Sequence, residues 1–109
     1  MTDTLIPTFR IDSFTVPASA RAAFLARVNA THAVLKQQAG FQFDRIVERK
    51  LSDEASRIIT IVEWESEEAI AGAVAAVKAA HAADGFSTPD FIRNNSIVAD
   101  LGFYKPVAA

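Results

Sequence analysis

The stretch Arg57–Glu68 (Arg-Ile-Ile-Thr-Ile-Val-Glu-Trp-Glu-Ser-Glu-Glu) constrains the fold more than any other part of the chain. Ile58–Val62 is a continuous apolar run rich in β-branched residues, which is typical of a strand buried on both faces. The run ends at Trp64, and Ser66 then begins a predicted helix whose acidic first turn meets the positive end of the helix dipole. A buried strand that leads into a helix, with the only Trp at the junction, predicts a compact α+β sandwich with a ligand pocket near Trp64.

Apolar periodicity and turn residues predict the other elements. Gly40 and Gly85 are each followed by Phe, and we expect them to end the two long helices in the left-handed conformation. The βαββαβ order predicts a ferredoxin-like antiparallel sheet with both helices on one face. The predicted elements are a strand over Phe9–Thr15, a helix over Ala18–Gln38 with Pro17 in its first turn, a strand over Phe41–Leu51, a turn over Ser52–Ser56, a strand over Arg57–Glu65, a helix over Ser66–Ala82, a loop or short helical turn over Ser87–Asn95, and a strand over Ser96–Tyr104.

Length and composition exclude several classes of protein. The 109 residues suffice for one domain, predicted over residues 9–105 with a flexible arm over 1–8 and a short tail over 106–109. The absence of cysteine excludes disulfides and thiolate metal sites. With a net charge of −2 and scattered basic residues, we expect no binding to nucleic acid or to membranes. No secretion signal or membrane span is visible, so we expect a cytoplasmic protein.

Strand alternation leaves one face of the predicted sheet apolar and uncovered. Two helices cover only one face, so a monomer would expose a large apolar patch. Two-fold pairing of sheets buries such a patch, and we expect a homodimer. The alternative is a monomer whose long hairpin or tail folds over the sheet. On the central strand Ile58, Thr60, Val62 and Trp64 oppose Ile59, Ile61 and Glu63, and on the last strand Ile97, Ala99, Leu101 and Phe103 oppose Val98 and Tyr104.

The run Ile61–Ser66, the two Gly-Phe helix ends and the βαββαβ order carry a resemblance to a known family. Over about Phe9–Tyr104 the chain resembles the antibiotic biosynthesis monooxygenase family of the dimeric α+β barrel superfamily. The resemblance implies a homodimer of face-to-face sheets, with a pocket in each subunit between sheet and helices. It also implies one of two activities, since some members oxidise aromatic polyketides or quinols with O₂ and no cofactor, whereas others degrade haem.

Three residues are the predicted catalytic candidates. Oxygenation without a cofactor needs a dry pocket, a group that takes a phenolic proton, and donors for reduced oxygen. His32 and His81 are the only histidines, and each extends the apolar stripe of its helix. Trp64 matches the Trp that lines the pocket in some members of the family. The alternatives are core or interface histidines and a core Trp.

Other side chains are predicted to complete the pocket. Its walls are predicted to include Phe24, Val28, Phe43 and Tyr104. Asp12 and Asp100 occupy strand positions among apolar residues, where burial would make either a candidate base. A polar rim or an interface is the alternative location for both.

We therefore expect a cofactor-independent monooxygenase that oxidises a small aromatic, phenolic or quinol-like compound. No glycine-rich nucleotide motif is present, and His32 and His81 lack metal-ligand spacing, so we expect neither cofactor nor metal. One alternative is a non-catalytic dimeric module that binds an apolar metabolite. Haem degradation is another, because His81 matches the helix His of that group. Its first-strand Asn is missing at Asp12-Ser13, however, and the second helix has no Trp.

Overall fold

Four antiparallel strands form one sheet in the order β2-β3-β1-β4, as the computed structural model of residues 6–108 shows. This is the predicted ferredoxin-like arrangement, with one additional short helix. The elements are β1 (Thr8–Pro17), a single 3₁₀ turn (Ala18–Ala20), α1 (Arg21–Leu35), β2 (Phe41–Lys50), β3 (Ala55–Trp64), α2 (Glu68–Ala83), α3 (Thr88–Asn94) and β4 (Val98–Tyr104).

The register of the central strands confirms the predicted alternation. Ile58, Thr60, Val62 and Trp64 of β3 all face the helices and are buried. Ile59 and Ile61 face the other way, together with their β1 partners, and are only half-buried. On β4 the same alternation puts Ala99, Leu101 and Phe103 on the helix side and Val98 and Tyr104 on the other. We call the side without helices the open face.

Both glycines predicted to end helices have positive φ. Gly40 has φ 88° and Gly85 has φ 64°, a region that favours glycine because it lacks Cβ. Gly40 also makes a close approach, since a Cβ there would overlap that of Ala69 in α2. The Glu65 N–H donates to the Gly40 carbonyl oxygen at 2.7 Å. These contacts fix the entry to β2 against the start of α2.

A β-bulge corrects the predicted alternation of β2. Phe41 pairs with Trp64 and Phe43 pairs with Glu63. Gln42 is therefore an extra residue of β2 without a partner in β3. Strict alternation along the predicted strand Phe41–Leu51 would put Phe41 and Phe43 on one face, and this prediction is wrong because the extra residue, Gln42, reverses the alternation. Phe41 packs edge-on against Trp64, with ring centroids 5.9 Å apart, while Phe43 lies on the open face.

Several other element boundaries differ from prediction. Pro17 ends β1 instead of entering a helix. Helix α2 begins at Glu68 without a side-chain cap, so Ser66 is not its N-cap. The segment before β4 is a true helix, α3, whose N-cap Ser87 accepts a hydrogen bond from the Asp90 N–H. Each difference arises where local turn chemistry competes with a neighbouring strand or helix.

The predicted flexible arm falls mostly on residues 1–5, which lie outside the described residues. Of its remainder, Thr8 belongs to β1 and is buried, so the strand begins before the predicted domain boundary. Within residues 6–108, no helix is both long and apolar enough to cross a membrane.

The hydrophobic core is divided into two clusters. The first core cluster lies where β1 and β3 meet the start of α1, and the second lies below the start of α2. Between them the helix side of the sheet carries polar residues, namely Asp44, Thr60, Arg10 and Asp12, in neighbouring strands. The buried members of the first core cluster are Phe14, Val16, Ala20, Phe24, Ile58 and Ile97, and those of the second are Val62, Trp64 and Ala73.

An ion pair on the surface ties the start of α1 to β2. Arg21 donates from Nε and Nη2 to the two carboxylate oxygens of Glu48, both at 2.7 Å. Hydrogen bonds from Arg21 and Ser56 lower the pKa of Glu48 to about 2. This pair lies outside the region between the two core clusters.

Candidate active site

A cavity of about 300 Å³ separates the sheet from the three helices. Residues of both core clusters line it, including Phe14 and Phe24 of the first and Val62 and Trp64 of the second. The volume is at the low end of the ~300–1,000 Å³ typical of small-molecule pockets. Five of the seven residues predicted as catalytic or as pocket walls line it: Phe24, Val28, His32, Trp64 and His81.

His32 is a buried polar group on the cavity wall. It lies on α1, is 6% exposed, and its Nδ1 is 2.8 Å from Asp44 Oδ2 on β2. The Lys36 ammonium is 3.8 Å from the same carboxylate oxygen. Because Asp44 can only accept when ionised, Nδ1 carries a proton and Nε2 of a neutral His32 is a base. This arrangement resembles a general base oriented by a carboxylate.

Asp12 is a second carboxylate on the cavity wall, reached from β1. Arg10 Nε at 2.7 Å and the Gly102 N–H at 3.3 Å both donate to its Oδ1. Among residues 6–108, Oδ2 has no hydrogen-bond partner. Burial raises the pKa of Asp12, although Arg10, the Gly102 N–H and His32 act in the opposite direction. A raised pKa suits a group that exchanges a proton in a dry cavity.

His81 faces the same cavity from α2 but meets different neighbours. Its Nε2 is 3.1 Å from Thr31 Oγ1, and its ring packs edge-on against Phe86 at 5.0 Å between centroids. Burial and the positive charge of Arg27 lower the pKa of His81, against a smaller effect of Asp84. His81 is therefore neutral at pH 7.

Arg27 lies beside His81 and packs on Phe86. Its guanidinium carbon is 3.6 Å from the centroid of the Phe86 ring, a cation–π contact. Nη2 is 3.6 Å from Asp84 Oδ2, which is too long for a hydrogen bond. Nε is buried and has no partner within residues 6–108. A cation thus lies on the cavity wall with its donors unused.

Trp64 is 2% exposed and closes one end of the cavity. It lies on β3 between Thr8 of β1 and Phe41 of β2, and it packs in the second core cluster with Val62 and Ala73. Among residues 6–108, its Nε1–H makes no hydrogen bond. The indole therefore belongs both to the core and to the cavity wall.

The structure corrects two of the predicted pocket residues. Phe43 follows the β-bulge and so faces away from the cavity, opposite Glu63. Tyr104 pairs with Phe9 on the open face and is 48% exposed. Asp100, the second candidate base, pairs with Ser13 on that same face and is exposed. Strand alternation excludes all three from a site on the helix side.

The sequence pattern did not single out Asp44, which bonds His32, or Arg27 and Lys78, which line the cavity. Asp44 falls after the bulge, whose position the sequence pattern does not reveal. Arg27 precedes Thr31 by four residues, a helical spacing that joins it to the apolar stripe of α1. That spacing was a usable signal for Arg27. Within residues 6–108, no three His, Asp or Glu side chains are grouped to hold a metal ion.

Comparisons with known proteins agree with this fold. SnoaB from Streptomyces nogalater, a cofactor-independent oxygenase, superposes with a TM-score of 0.64 at 17% identity, over 95% of this chain and 96% of its own. A haem-degrading protein from Mycobacterium tuberculosis gives 0.58 at 20% identity, over 96% of each chain. A variant of MhuD with two manganese protoporphyrin IX molecules bound per active site gives 0.67 at 21% identity, over 94% and 96%.

Because all three sequence identities are below 25%, these likenesses establish the fold alone. A search among curated proteins gave no match. The antibiotic biosynthesis monooxygenase family model, in contrast, matches residues 9–84, which include β1 to α2 and most of the cavity wall. The chain therefore belongs to the antibiotic biosynthesis monooxygenase family.

Proposed function

We propose that this protein is a cofactor-independent monooxygenase that oxidises a small phenolic or quinol-like aromatic compound with O₂. The observation that carries the proposal is that His32, on the wall of an apolar cavity, is joined at 2.8 Å to the carboxylate of Asp44 behind it. Such a pair is suited to removing a phenolic proton, which is the step that makes the substrate reactive toward O₂. One of the related structures, SnoaB, is named a cofactor-independent oxygenase, which supports the proposal.

In the first step His32 Nε2 accepts the proton of the phenolic hydroxyl. The Nδ1–H of His32 continues to donate a hydrogen bond to Asp44 Oδ2, and the carboxylate stabilises the imidazolium that forms. An apolar wall strengthens this electrostatic contact because water does not screen it. The substrate is then a phenolate, which is rich enough in electrons to reduce O₂.

In the second step O₂ adds to the ring carbon ortho or para to the phenolate oxygen. After protonation, the resulting hydroperoxide loses water as its O–O bond breaks and the proton leaves the same carbon. The product is a quinone. One oxygen atom of O₂ is incorporated into the quinone, and the other is released in water. All four electrons come from the substrate, so no external reductant is needed. Trp64 Nε1–H is the group that we assign to donate to the reduced oxygen, and Asp12 is the group that we assign to take the proton that leaves the ring carbon.

A haem fits this cavity less well than a small aromatic compound does. The expected iron ligand, His81, has its Nε2 on Thr31 Oγ1 and its ring against Phe86. A protoporphyrin is also larger than a cavity of about 300 Å³. We therefore derive no step through haem.

We infer in addition that the protein is a homodimer whose open faces pair. On this face Val98 and Tyr104 of β4 are 69% and 48% exposed, and Ile59 and Ile61 lie on the same face of β3, on the other side of β1. An apolar sheet face of this kind marks an association surface, and pairing about a two-fold axis covers it in both subunits at once.

The enzymatic proposal is tested by O₂ uptake with a panel of hydroquinones, naphthols and dihydroxynaphthalenes. We expect one O₂ consumed per substrate, with label from ¹⁸O₂ in the quinone and in water and no accumulated H₂O₂. Arg21→Gln on the outer surface of α1 is the matched control and should keep full activity. Binding of these compounds without O₂ uptake would favour the non-catalytic binding module.

Haem is tested separately by titration of the purified protein. We expect no stoichiometric Soret shift. A Soret band that forms on haem addition and disappears in His81→Ala would support the haem alternative instead.

The dimer is tested by sedimentation at micromolar concentration. We expect about twice the chain mass of 11.8 kDa. Ile61→Glu should give monomers, because it would bury an unpaired charge between the sheets. Glu54→Gln in the exposed β2–β3 turn is the control. A well-folded wild-type monomer at this concentration would contradict the inference.

A further inference from the structure

The side of the cavity next to α3 has an excess of positive charge. Arg27 and Lys78 both line it, and Asp84 is the acidic group beside Arg27. His81 adds no charge there at neutral pH, because its pKa is lowered. Arg10, on the sheet side, is already neutralised by Asp12 at 2.7 Å. Arg27, Lys78 and Asp84 together leave one positive charge without a partner at this side.

The donors of Arg27 are oriented but unused. Packing of the guanidinium on Phe86 fixes its plane. Within the described chain none of its N–H groups makes a hydrogen bond: Nε is buried and alone, and the contact of Nη2 with Asp84 is 3.6 Å. Burying a donor without a partner lowers the stability of the fold, so the unpaired Nε is not explained by packing. A planar anion that engages this edge of the guanidinium would satisfy it.

Lys78 has no ion-pair partner among residues 6–108 and lies on α2, three residues before His81. It is exposed, so its flexible side chain can add a second cation at the cavity mouth. The walls farther inside are apolar and aromatic, with Phe24, Val28 and Phe91 among them. A ligand that matches both regions has an aromatic body and one negative charge at its edge.

We propose that the substrate is an aromatic hydroxy acid, whose carboxylate binds Arg27 and Lys78 while its phenolic hydroxyl reaches His32. The assignment of the hydroxyl rests on the proposed monooxygenase function, whereas the carboxylate site does not. Arg27 and His32 are five residues apart on α1, about 7.5 Å along the helix axis. A fused or single aromatic ring with its two groups at opposite ends spans that distance. The lone positive charge favours a monoanion over a phosphate ester, which carries nearly two negative charges.

The test compares two probes that differ only in charge, 6-hydroxy-2-naphthoate and 6-hydroxy-2-naphthamide. Their affinities are measured by calorimetry for the wild-type protein and for Arg27→Met, Arg27→Lys and Lys78→Gln. Methionine keeps apolar packing on Phe86, and Lys retains the charge should Met disturb folding. Arg21→Gln, on the same helix but paired with Glu48, is the matched control.

We expect the wild-type protein to bind the naphthoate at least about tenfold more tightly than the amide. Arg27→Met should remove that preference, Lys78→Gln and Arg27→Lys should reduce it, and Arg21→Gln should leave it intact. Higher salt should weaken only the naphthoate. Equal affinity for the two probes, or no binding of either, would overturn the proposal.

Turnover separates this proposal from the function on which it rests. If the protein oxidises neutral naphthols but shows no preference for the acid, the carboxylate site is wrong and the monooxygenase stands. If it binds the naphthoate through Arg27 but consumes no O₂ with any member of the phenol panel, the carboxylate site stands and the monooxygenase is wrong.

Discussion

The cavity has a histidine on each of two sides, and the charged residues beside the two histidines have opposite signs. Next to β2, His32 bonds the Asp44 carboxylate, with Asp12 on the neighbouring wall. Next to α3, His81 bonds a hydroxyl and lies beside the Arg27 cation. Both histidines reach the cavity because each continues the apolar stripe of its helix. Their chemistry differs because the neighbouring strand or loop differs. Helix position thus decides access, and tertiary neighbours decide function.

The largest effect that we expect separates the two histidines directly. His32→Gln should lower kcat for phenol oxidation by about 10²–10⁴-fold, the usual contribution of a general base. His81→Gln should lower it by less than about tenfold, because its role is to shape the wall beside Arg27. Both are measured as O₂ uptake at saturating substrate, with circular dichroism to establish folding. A larger loss for His81→Gln would reverse the assignment of the base.

A second prediction concerns the wall that both sides share. An aromatic ligand in the cavity should quench the fluorescence of Trp64, the only Trp of the chain. Trp64→Ala should weaken binding by about 1–3 kcal/mol through lost apolar contact, as measured by calorimetry. Trp64→Phe, which keeps most of the packing, is the control for folding. Unchanged affinity in Trp64→Ala would place the ligand elsewhere.

A third prediction concerns the effect of Asp12, on the acidic side of the cavity, on the stability of the fold. Burial raises the pKa of Asp12 above its ordinary value of 3.8. A group with a raised pKa stabilises the fold fully only below that ordinary value, and this stabilisation is lost as pH rises through the pKa of the folded state. Asp12→Asn stays neutral at every pH and still accepts from Arg10 and Gly102. It should therefore raise the Tm at pH 7 by a few degrees.

The difference in Tm should close as pH falls toward 3.8. Activity should fall in the same variant, since stability and function are then in conflict. Glu48→Gln provides the contrast on the surface: its pKa of about 2 is depressed, so any stabilisation is lost as pH falls below its ordinary 4.5. A lower Tm for Asp12→Asn at pH 7 would show that Arg10 outweighs burial.

The smallest effect that we expect concerns His81. Its pKa is below the ordinary 6.5 in the wild-type protein, first through burial and then through Arg27. Arg27→Met removes the second cause only, so the NMR titration of His81 should move upward and stay below 6.5. A depressed pKa means that the neutral ring stabilises the fold above 6.5 and that this is lost as pH falls through the folded value. If the pKa of His81 is unchanged in Arg27→Met, the charge of Arg27 does not act on His81.

The fold was largely predictable because its signals are local and periodic. Alternation along β3 fixed which side chains share a face, and the stripes of α1 and α2 placed His32 and His81 toward the sheet. Gly40 and Gly85 marked helix ends because left-handed backbone favours glycine. These are properties of a few consecutive residues, and a sequence displays them directly.

The partners within the site were less predictable because they join elements distant in sequence. Asp44 meets His32 through a β-bulge that no local pattern announces. Arg27 meets Phe86 through the packing of α1 against the segment that precedes α3. Tyr104 was misplaced for a different reason: its chemistry suited a pocket, but its strand position assigned it to the open face.

The bulge at Gln42 has a consequence for which changes in length this site tolerates over evolutionary time. Deletion of Gln42 would give a regular ladder in which Phe41 still opposes Trp64 and Phe43 still opposes Glu63. Asp44 would then keep its face and its contact with His32. A one-residue insertion between the bulge and Asp44 would instead turn the carboxylate to the open face. Relatives one residue shorter between Gly40 and Asp44 are therefore expected to keep the same chemistry.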